Sequence, residues 1–210
     1  LKVWAELGCS FDVVSTGMIL SAEQAALVSD FCEQSAKKGA LVFVDPIMGD
    51  EGKLYNGVGE ETVAHMRKMV AVADCIVPNY TEAAYLADMP YHEDMTEEEA
   101  RALTIRLHEM GAKSVVVTST KVDGENCVVG YDGTEGEFFR IPFDLIPVRF
   151  VGTGDIFAAV MLGRLVDGVP LQESTHRAMD AVRTMIDRNR DKEDKYLGIP
   201  IETCLEVLDE

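Results

Sequence analysis

The chain has 210 residues, of which 47% are hydrophobic and 27% charged, as in a globular protein with a substantial core. A net charge of −18 argues against nucleic acid and anionic membranes as partners, because their phosphates would be repelled. No apolar stretch approaches membrane-spanning length, and the five scattered cysteines include no CxxC pair, which argues against disulfides or zinc. These features predict a cytoplasmic protein. Since no repeat or linker divides the sequence, we interpret residues 1–210 as one domain.

The first elements in chain order alternate between strand and helix. Residues 11–17 and 40–46 are short apolar runs that end in Gly and Pro, as expected for strands. Residues 21–39 between them have helical periodicity, and Ser21 and Gln24 are expected to form a capping box. Because the second run is apolar throughout, we expect it to be a buried parallel strand.

The later elements continue the alternation and then change pattern. They are a helix over 59–70, a strand over 74–79, a short helix capped by Asn79, a helix between Thr96 and Gly111, a strand over 114–120, two antiparallel strands within 126–141, and helices from 154 to the end with a break at 168–170. This order predicts an α/β fold: a mostly parallel central sheet with helices on both faces, and a small antiparallel hairpin before the last helices.

Polar residues follow the predicted strands, at the edge where α/β sheets bind ligands. Asp45 ends one strand, Asn79 and Glu82 follow the next, and Thr118 and Ser119 follow the third. Carboxylate, amide and hydroxyl groups in this arrangement suit ATP with Mg²⁺. The sequence contains neither the P-loop pattern GxxxxGK[ST] nor a GxGxxG after a strand, so the site belongs to another class of nucleotide-binding protein.

A fourth segment places Gly152, Thr153 and Gly154 directly before Asp155 at a predicted helix start. The N-terminus of a helix binds anions through unpaired N–H groups, and glycines let a ligand approach the backbone. Asp155 has two interpretations that the residues alone leave open. In the first, its carboxylate complements the helix dipole and stabilises the helix by about 0.3–1 kcal/mol. In the second, it is a base held beside a phosphate.

The strand-end residues also have ordinary structural explanations. Asp45 and Pro46 are a common strand-ending pair. Asn79 is a natural N-cap, Glu82 is a first-turn acid, and Thr118 is a typical β-branched strand residue. Each residue alone is therefore compatible with a purely structural role.

Four motifs together, in this order and spacing, resemble pyridoxal kinases of the ribokinase-like superfamily. They are VDPIMGDEGKLY at 44–55, VPNYTEA at 77–83, VVVTS at 115–119 and FVGTGDIFAA at 150–159. The resemblance runs from residue 11 to the C-terminus and implies a ribokinase-like fold. It also implies ATP-dependent phosphorylation of the 5′-hydroxymethyl group of pyridoxal, pyridoxamine or pyridoxine. We expect the family's N-terminal βαβ segment to be missing from this chain.

The resemblance assigns a role to each candidate residue. It implies that Asp155 is the general base and that the N–H groups of Gly152, Thr153 and Gly154 stabilise the transferred phosphoryl group. The residues that it places on the ATP side are Asp45, Asn79, Thr118 and Ser119. Those that it places near Mg²⁺ are Asp50 and Glu82. It further implies a homodimer and admits a monovalent cation as a second cofactor.

Two alternatives remain open. One is a hydroxymethylpyrimidine kinase of the same superfamily, although such enzymes commonly have cysteine where Asp155 stands and lack a loop like MGDEGKLY. The other is a catalytically inactive nucleotide-binding module that binds ATP but not the vitamin.

Overall fold

A six-stranded sheet is the centre of the first of two units into which the chain divides, Leu1–Phe143 and Asp144–Glu210. The computed structural model describes residues 1–208, apart from the side chain of Ala5. Each unit is described by itself below. The interpretation of residues 1–210 as one domain therefore stays a prediction.

The helices and strands have the following bounds. The first unit contains α1 Lys2–Glu6, β1 Val13–Thr16, α2 Ala22–Ala36, β2 Leu41–Val44, β3 Gly49–Asp50, β4 Lys53–Leu54, α3 Glu60–Val70, β5 Cys75–Ile76, α4 Tyr80–Ala87, α5 Glu97–Glu109, β6 Ser114–Val122, β7 Glu125–Asp132 and β8 Glu137–Pro142. The second unit contains α6 Thr153–Val166, α7 Leu171–Asn189 and two short 3₁₀ helices, Ile201–Thr203 and Leu205–Leu208.

The main sheet has the strand order β1-β2-β5-β6-β7-β8. The first three pairings are parallel and the last two are antiparallel. This confirms the mostly parallel sheet and the antiparallel pair around Asp132, which extends the main sheet as β7 and β8. A separate antiparallel pair, β3 and β4, forms within the segment MGDEGKLY.

Burial of consecutive residues shows that both faces of the central strands are covered. Val42, Phe43 and Val44 are all fully buried, although neighbouring side chains of a strand point to opposite faces. The face carrying Val42 and Val44 packs against apolar residues of α2 to α5, including Met66 and Leu103. Such two-sided burial explains why these strands are apolar throughout.

The N-terminus of α2 differs from its predicted capping box. Ser21 Oγ accepts a hydrogen bond from Gln24 N at 3.1 Å, as expected. The Gln24 side chain, however, accepts from Leu20 N at 3.0 Å rather than from Ser21 N. The box is therefore half formed, because the glutamine side chain reaches one residue further back. At α5, by contrast, Thr96 and Glu99 form a complete capping box.

The C-terminal region also differs from its prediction as helix from 154 to the end. Helix α7 stops at Asn189, and residues 190–200 are irregular. Residues 190–195 are all charged and offer no apolar face to bury, while Gly198 adopts φ +72°. None of the helices within residues 1–208 is both long and apolar enough to cross a bilayer.

Candidate functional site

Three parallel strands of the first unit bring candidate residues to one edge of the sheet. Asp45 directly follows β2, and its N–H donates to Thr16 O at the end of β1, at 3.0 Å. Asn79 follows β5 and forms a parallel bridge with Thr118 of β6. The fold therefore brings Asn79 next to Thr118 and places Asp45 at the end of the neighbouring strand, although Thr118 lies within β6 rather than after it.

Glu82 is the most buried of the candidate acids, with 3% of its surface exposed. One carboxylate oxygen accepts from Met48 N at 2.9 Å and from Gly49 N at 3.5 Å. The other accepts from Asn79 N at 2.8 Å. Glu82 thus joins the start of α4 to the loop after β2. This structural role goes beyond the first-turn acid suggested by the sequence.

Asn79 completes the same connection. Its Oδ1 accepts from Glu82 N at 3.0 Å, which forms the second half of a capping box. Its Nδ2 donates to Gly49 O at 2.8 Å. Asn79 is therefore an N-cap, as expected, and also a tether for the loop after β2.

The charge state of Glu82 depends on competing influences. Burial is the largest and raises the pKa of its carboxyl group to about 7, and the negative charge of Asp45 acts in the same direction. The N–H groups of Met48, Asn79 and Gly49 oppose this shift by stabilising the carboxylate. Because burial outweighs the hydrogen bonds, Glu82 titrates near neutral pH.

Asp50 lies at the tip of the small β3–β4 hairpin. Glu51 and Gly52 form its two-residue turn with φ of +51° and +77°, the left-handed conformation that such hairpins need. Asp50 Oδ1 accepts from Glu51 N at 2.9 Å. Thr81, which the sequence analysis did not single out, accepts from Gly52 N at 2.8 Å. The hairpin therefore holds Asp50 at a defined place beside α4.

Thr118 and Ser119 occupy a bulge in β6 that the regular pattern of the sequence did not reveal. The pairing with β7 shifts between Val117 and Thr120, so that these two residues are displaced from the ladder. Ser119 is exposed and has φ +57°, which is uncommon for a residue other than glycine. Such backbone strain clusters at functional sites. The bulge leaves these two hydroxyl-bearing residues without a partner in β7.

The remaining candidates form the N-terminus of α6 in the second unit. Gly152 is the N-cap with φ +84°, and no side chain caps the helix. Gly154 and Asp155 are exposed, and the first intrahelical bond runs from Ile156 N to Gly152 O at 3.1 Å. Because the first N–H groups of a helix have no intrahelical acceptor, this turn can receive an anion.

The donor set constrains how a cation could bind. Within residues 1–208, no three acidic, histidine or cysteine side chains converge on a point that could hold a metal ion. Glu82 already accepts three N–H groups, whereas Asp50 is half-buried in the hairpin and accepts one from Glu51. A set with so few carboxylates fits Mg²⁺, which commonly takes most of its ligands from phosphate and water.

Comparison with known proteins places this geometry in a family. Residues 5–198 match the sequence model of the phosphomethylpyrimidine kinase family. The chain belongs to this family. Among curated relatives, the pyridoxal kinase of Arabidopsis thaliana is 33% identical over 171 residues, which is 78% of this chain and 53% of the relative. The human pyridoxal kinase is also 33% identical, and the match covers 72% of this chain and 53% of the human protein. The chain thus spans about half the length of these curated relatives.

Solved structures give the same fold. A protein of Bacteroides thetaiotaomicron, provisionally assigned as a phosphomethylpyrimidine kinase, superposes with a TM-score of 0.94 and 33% identity, covering 100% of this chain and 73% of that one. A second crystal form of that protein contains pyridoxal. The pyridoxal kinase of Lactobacillus plantarum has a TM-score of 0.85, 28% identity and coverage of 99% and 74%. These likenesses confirm the ribokinase-like fold and the relationship to pyridoxal kinases expected from the motifs.

Proposed function

We propose that this chain carries the nucleotide-binding and catalytic residues of an ATP-dependent kinase for pyridoxal, pyridoxamine or pyridoxine. The observation that carries the proposal is the framework at the sheet edge. There Glu82 and Asn79 hold the loop after β2 beside the Thr118–Ser119 bulge. The pyridoxal kinase relatives support the choice of acceptor.

In this proposal the α6 turn supplies the chemistry. The N–H groups of Gly152, Thr153 and Gly154 stabilise negative charge on the transferred phosphoryl group. Asp155 accepts the proton of the substrate hydroxymethyl group. At the same time the hydroxymethyl oxygen bonds to the γ-phosphorus, and the bond between the γ-phosphorus and the ADP oxygen breaks. A loose phosphoryl-transfer transition state depends more on positioning than on a strong nucleophile, so a carboxylate is an adequate base.

The sheet edge positions the nucleotide. The hydroxyl groups of Thr118 and Ser119 bind phosphate oxygens from the bulge, and Asp45 and Asn79 line the same side. Asp50 would hold Mg²⁺ from the hairpin, and Glu82 would order the water ligands of the ion. When bound, Mg²⁺ neutralises charge on the phosphate oxygens.

The remaining parts of the proposal have two sources. A homodimer and a monovalent cation as a further cofactor rest on the family resemblance, and a cytoplasmic location rests on the composition and the scattered cysteines. We further expect residues 1–210 alone to phosphorylate pyridoxal poorly, because the edge strand β1 pairs on one side only and its open side favours association.

A second acceptor class has an observation in its favour. The matched family and the provisional assignment of the Bacteroides protein both carry the name phosphomethylpyrimidine kinase. Asp155, where such enzymes commonly have cysteine, and the pyridoxal bound by the Bacteroides protein favour vitamin B6.

The deciding experiment is a coupled ADP-release assay with pyridoxal, pyridoxamine, pyridoxine and hydroxymethylpyrimidine as acceptors, with and without Mg²⁺. The assay is run on residues 1–210 and on a longer chain that includes any coding sequence flanking these residues in the gene. We expect Mg²⁺-dependent turnover of a B6 form at least about tenfold above that of hydroxymethylpyrimidine. Preference for the pyrimidine would establish the second acceptor class. ATP binding without turnover of any acceptor in the longer chain would indicate an inactive module.

A further inference from the structure

The β3–β4 hairpin is too small to be stable by itself. Each strand has two residues, and an isolated two-stranded hairpin is marginal in water even when it is longer. The turn residue Glu51 also adopts a left-handed conformation, which is unfavourable for an L-residue other than glycine. The order of this hairpin must therefore come from what it packs against.

Polar groups from the start of α4 hold two points of the hairpin. Glu82 accepts hydrogen bonds from the loop at Met48 and Gly49, where β3 begins. Thr81, which is buried, accepts the Gly52 N–H at the turn itself. Both contacts come from the PNYTEA motif and lie on one side of the hairpin.

An aromatic contact from outside the motifs acts at the same turn. A methyl group added at Gly52 would approach the Tyr91 ring to 3.0 Å, so the ring lies against the turn backbone. Tyr91 also stacks on Tyr80, with ring centroids 4.7 Å apart and planes inclined by 27°. The Tyr91 ring therefore connects the hairpin turn to the buried first residue of α4.

Tyr91 is itself held in place by its own segment, the connection between α4 and α5. His92 N donates to Tyr80 Oη at 3.0 Å. Met95 N donates to Lys121 O at 2.9 Å, which attaches the end of the connection to β6. The ring is thus mounted on a fixed segment rather than on a loose loop.

We propose that Tyr91 is a positioning residue that holds the β3–β4 turn against α4 and thereby fixes Asp50 and Lys53, the residues on either side of the turn. The effect on nucleotide binding rests on the function proposed above, whereas the effect on the hairpin does not. A hairpin fixed before the ligand arrives loses less conformational entropy on binding, and this favours affinity.

Hydrogen exchange of the 210-residue chain without ligand tests the contact directly. In Tyr91→Ala, we expect the amides of Gly52 and Tyr55 to exchange about 3- to 10-fold faster, the range that one stacked aromatic pair confers. Tyr91→Phe keeps the ring and is expected to remain within about twofold of wild type. Tyr85→Ala, a similarly exposed tyrosine of α4, is the matched control and leaves these amides unchanged.

Thr81→Val provides a second, independent change, since it removes the acceptor of the Gly52 N–H with little change of shape. It is expected to speed exchange at Gly52 while the Tyr91 ring stays in place. Unchanged exchange at Gly52 and Tyr55 in Tyr91→Ala would overturn the positioning role.

A titration with Mg²⁺ and ATP completes the test. We expect Tyr91→Ala to bind about 3- to 10-fold more weakly than wild type, and Tyr91→Phe to bind as wild type does. Faster hairpin exchange with unchanged affinity would refute the link to the nucleotide. If wild type binds no nucleotide, the proposed function fails, and the exchange data still decide the role of Tyr91 in holding the hairpin.

Discussion

The sheet edge of the first unit and the α6 turn of the second unit both carry candidate residues, and they are built in opposite ways. At the sheet edge, Glu82 and Asn79 direct their polar atoms to the protein backbone, and Glu82 is buried. At the turn, Gly154 and Asp155 are exposed, and Gly152 caps its helix without a side-chain hydrogen bond. The edge is a framework whose polar groups bond to the chain itself, whereas the turn leaves its groups exposed.

This difference separates the expected consequences of mutation. Groups that satisfy buried backbone N–H and C=O contribute to the free energy of unfolding, because losing one leaves a buried partner unsatisfied. Exposed groups at a helix start contribute little to stability and remain available for catalysis. Substitutions at the edge should therefore change stability, and substitutions at the turn should change turnover or binding.

The largest expected effect is on turnover at Asp155. Asp155→Asn keeps a near-isosteric side chain at the helix start but cannot accept the substrate proton. In the chain with its flanking sequence, kcat for pyridoxal should therefore fall about 10²- to 10⁴-fold with the melting temperature nearly unchanged. Glu173→Gln, which changes the first-turn acid of α7, is the matched control and should retain kcat. The measurements are steady-state kinetics and thermal melts. Near wild-type turnover of Asp155→Asn would show that Asp155 is only a helix-dipole residue.

Glu82 should give the edge a pH-dependent stability. Its pKa is about 7 in the folded chain, against an ordinary value of 4.5, so the folded state binds this proton more tightly than the unfolded state. The resulting stabilisation is fully present below about pH 4.5 and is lost as the pH rises through 7, by up to about 3 kcal/mol. Urea unfolding between about pH 5 and 7.5 should show this loss in wild type but not in Glu82→Gln.

Glu99, in the capping box of α5, provides a control for Glu82 because its pKa is shifted in the opposite direction. Its pKa is lowered, chiefly by the Thr96 N–H, so its contribution is present above its ordinary pKa and is lost as the pH falls through the lowered value. Glu99→Gln should therefore remove a contribution to the free energy of unfolding that increases with pH, whereas Glu82→Gln removes one that decreases with pH. Identical profiles for wild type and Glu82→Gln would refute the raised pKa of Glu82.

The two capping boxes allow a direct comparison of a cap at the edge with an exposed one. Asn79→Ala removes a helix cap and the bond to Gly49 O, so it should lower the free energy of unfolding by about 2 kcal/mol. Thr96→Ala removes the cap of α5, and the expected loss is about 1 kcal/mol. Urea titration of both variants measures the difference. Equal losses would mean that the bond to Gly49 contributes nothing to stability.

The smallest expected effect is on nucleotide affinity at Gly154. A Cβ at this position meets nothing within 4 Å, so Gly154→Val should fold normally, yet its side chain would crowd an anion at the turn. We expect ATP to bind about tenfold more weakly, with an unchanged melting temperature. Gly163→Val, at another unobstructed position of α6, is the matched control. Equal ATP affinity in both variants would argue against an anion site at this turn.

Local features of the fold were predictable because they depend on neighbouring residues. The caps at Asn79 and Thr96 join residues three apart, and the helices begin where these signals stand. Gln24 shows that such patterns do not always specify the hydrogen-bond partner. Its side chain was expected to accept from Ser21 N and accepts instead from Leu20 N. The C-terminal prediction was wrong because apolar periodicity ends at Asn189, beyond which a charged segment cannot pack a helix face.

Residues far apart in the chain supplied what the pattern could not reveal. Thr118 and Ser119 were predicted to follow the strand, and the bulge that they form within it was not predictable, because a bulge is defined by the register of the partner strand β7. Tyr91 carried no signal at all, since its importance arises from the packing of Gly52 on one side and Tyr80 on the other. The roles of these candidates in binding and catalysis stay predictions for the experiments above.

The sequence by itself determined the α/β class, the set of polar residues at the strand ends and the glycine-rich helix start, because strand periodicity, caps and glycine conformations are local properties. Only the tertiary structure decided that Glu82 would bind backbone N–H groups 33 and 34 residues away, and that burial would raise its pKa. The physical reason is that desolvation and hydrogen-bond partners depend on which distant segments the fold brings together.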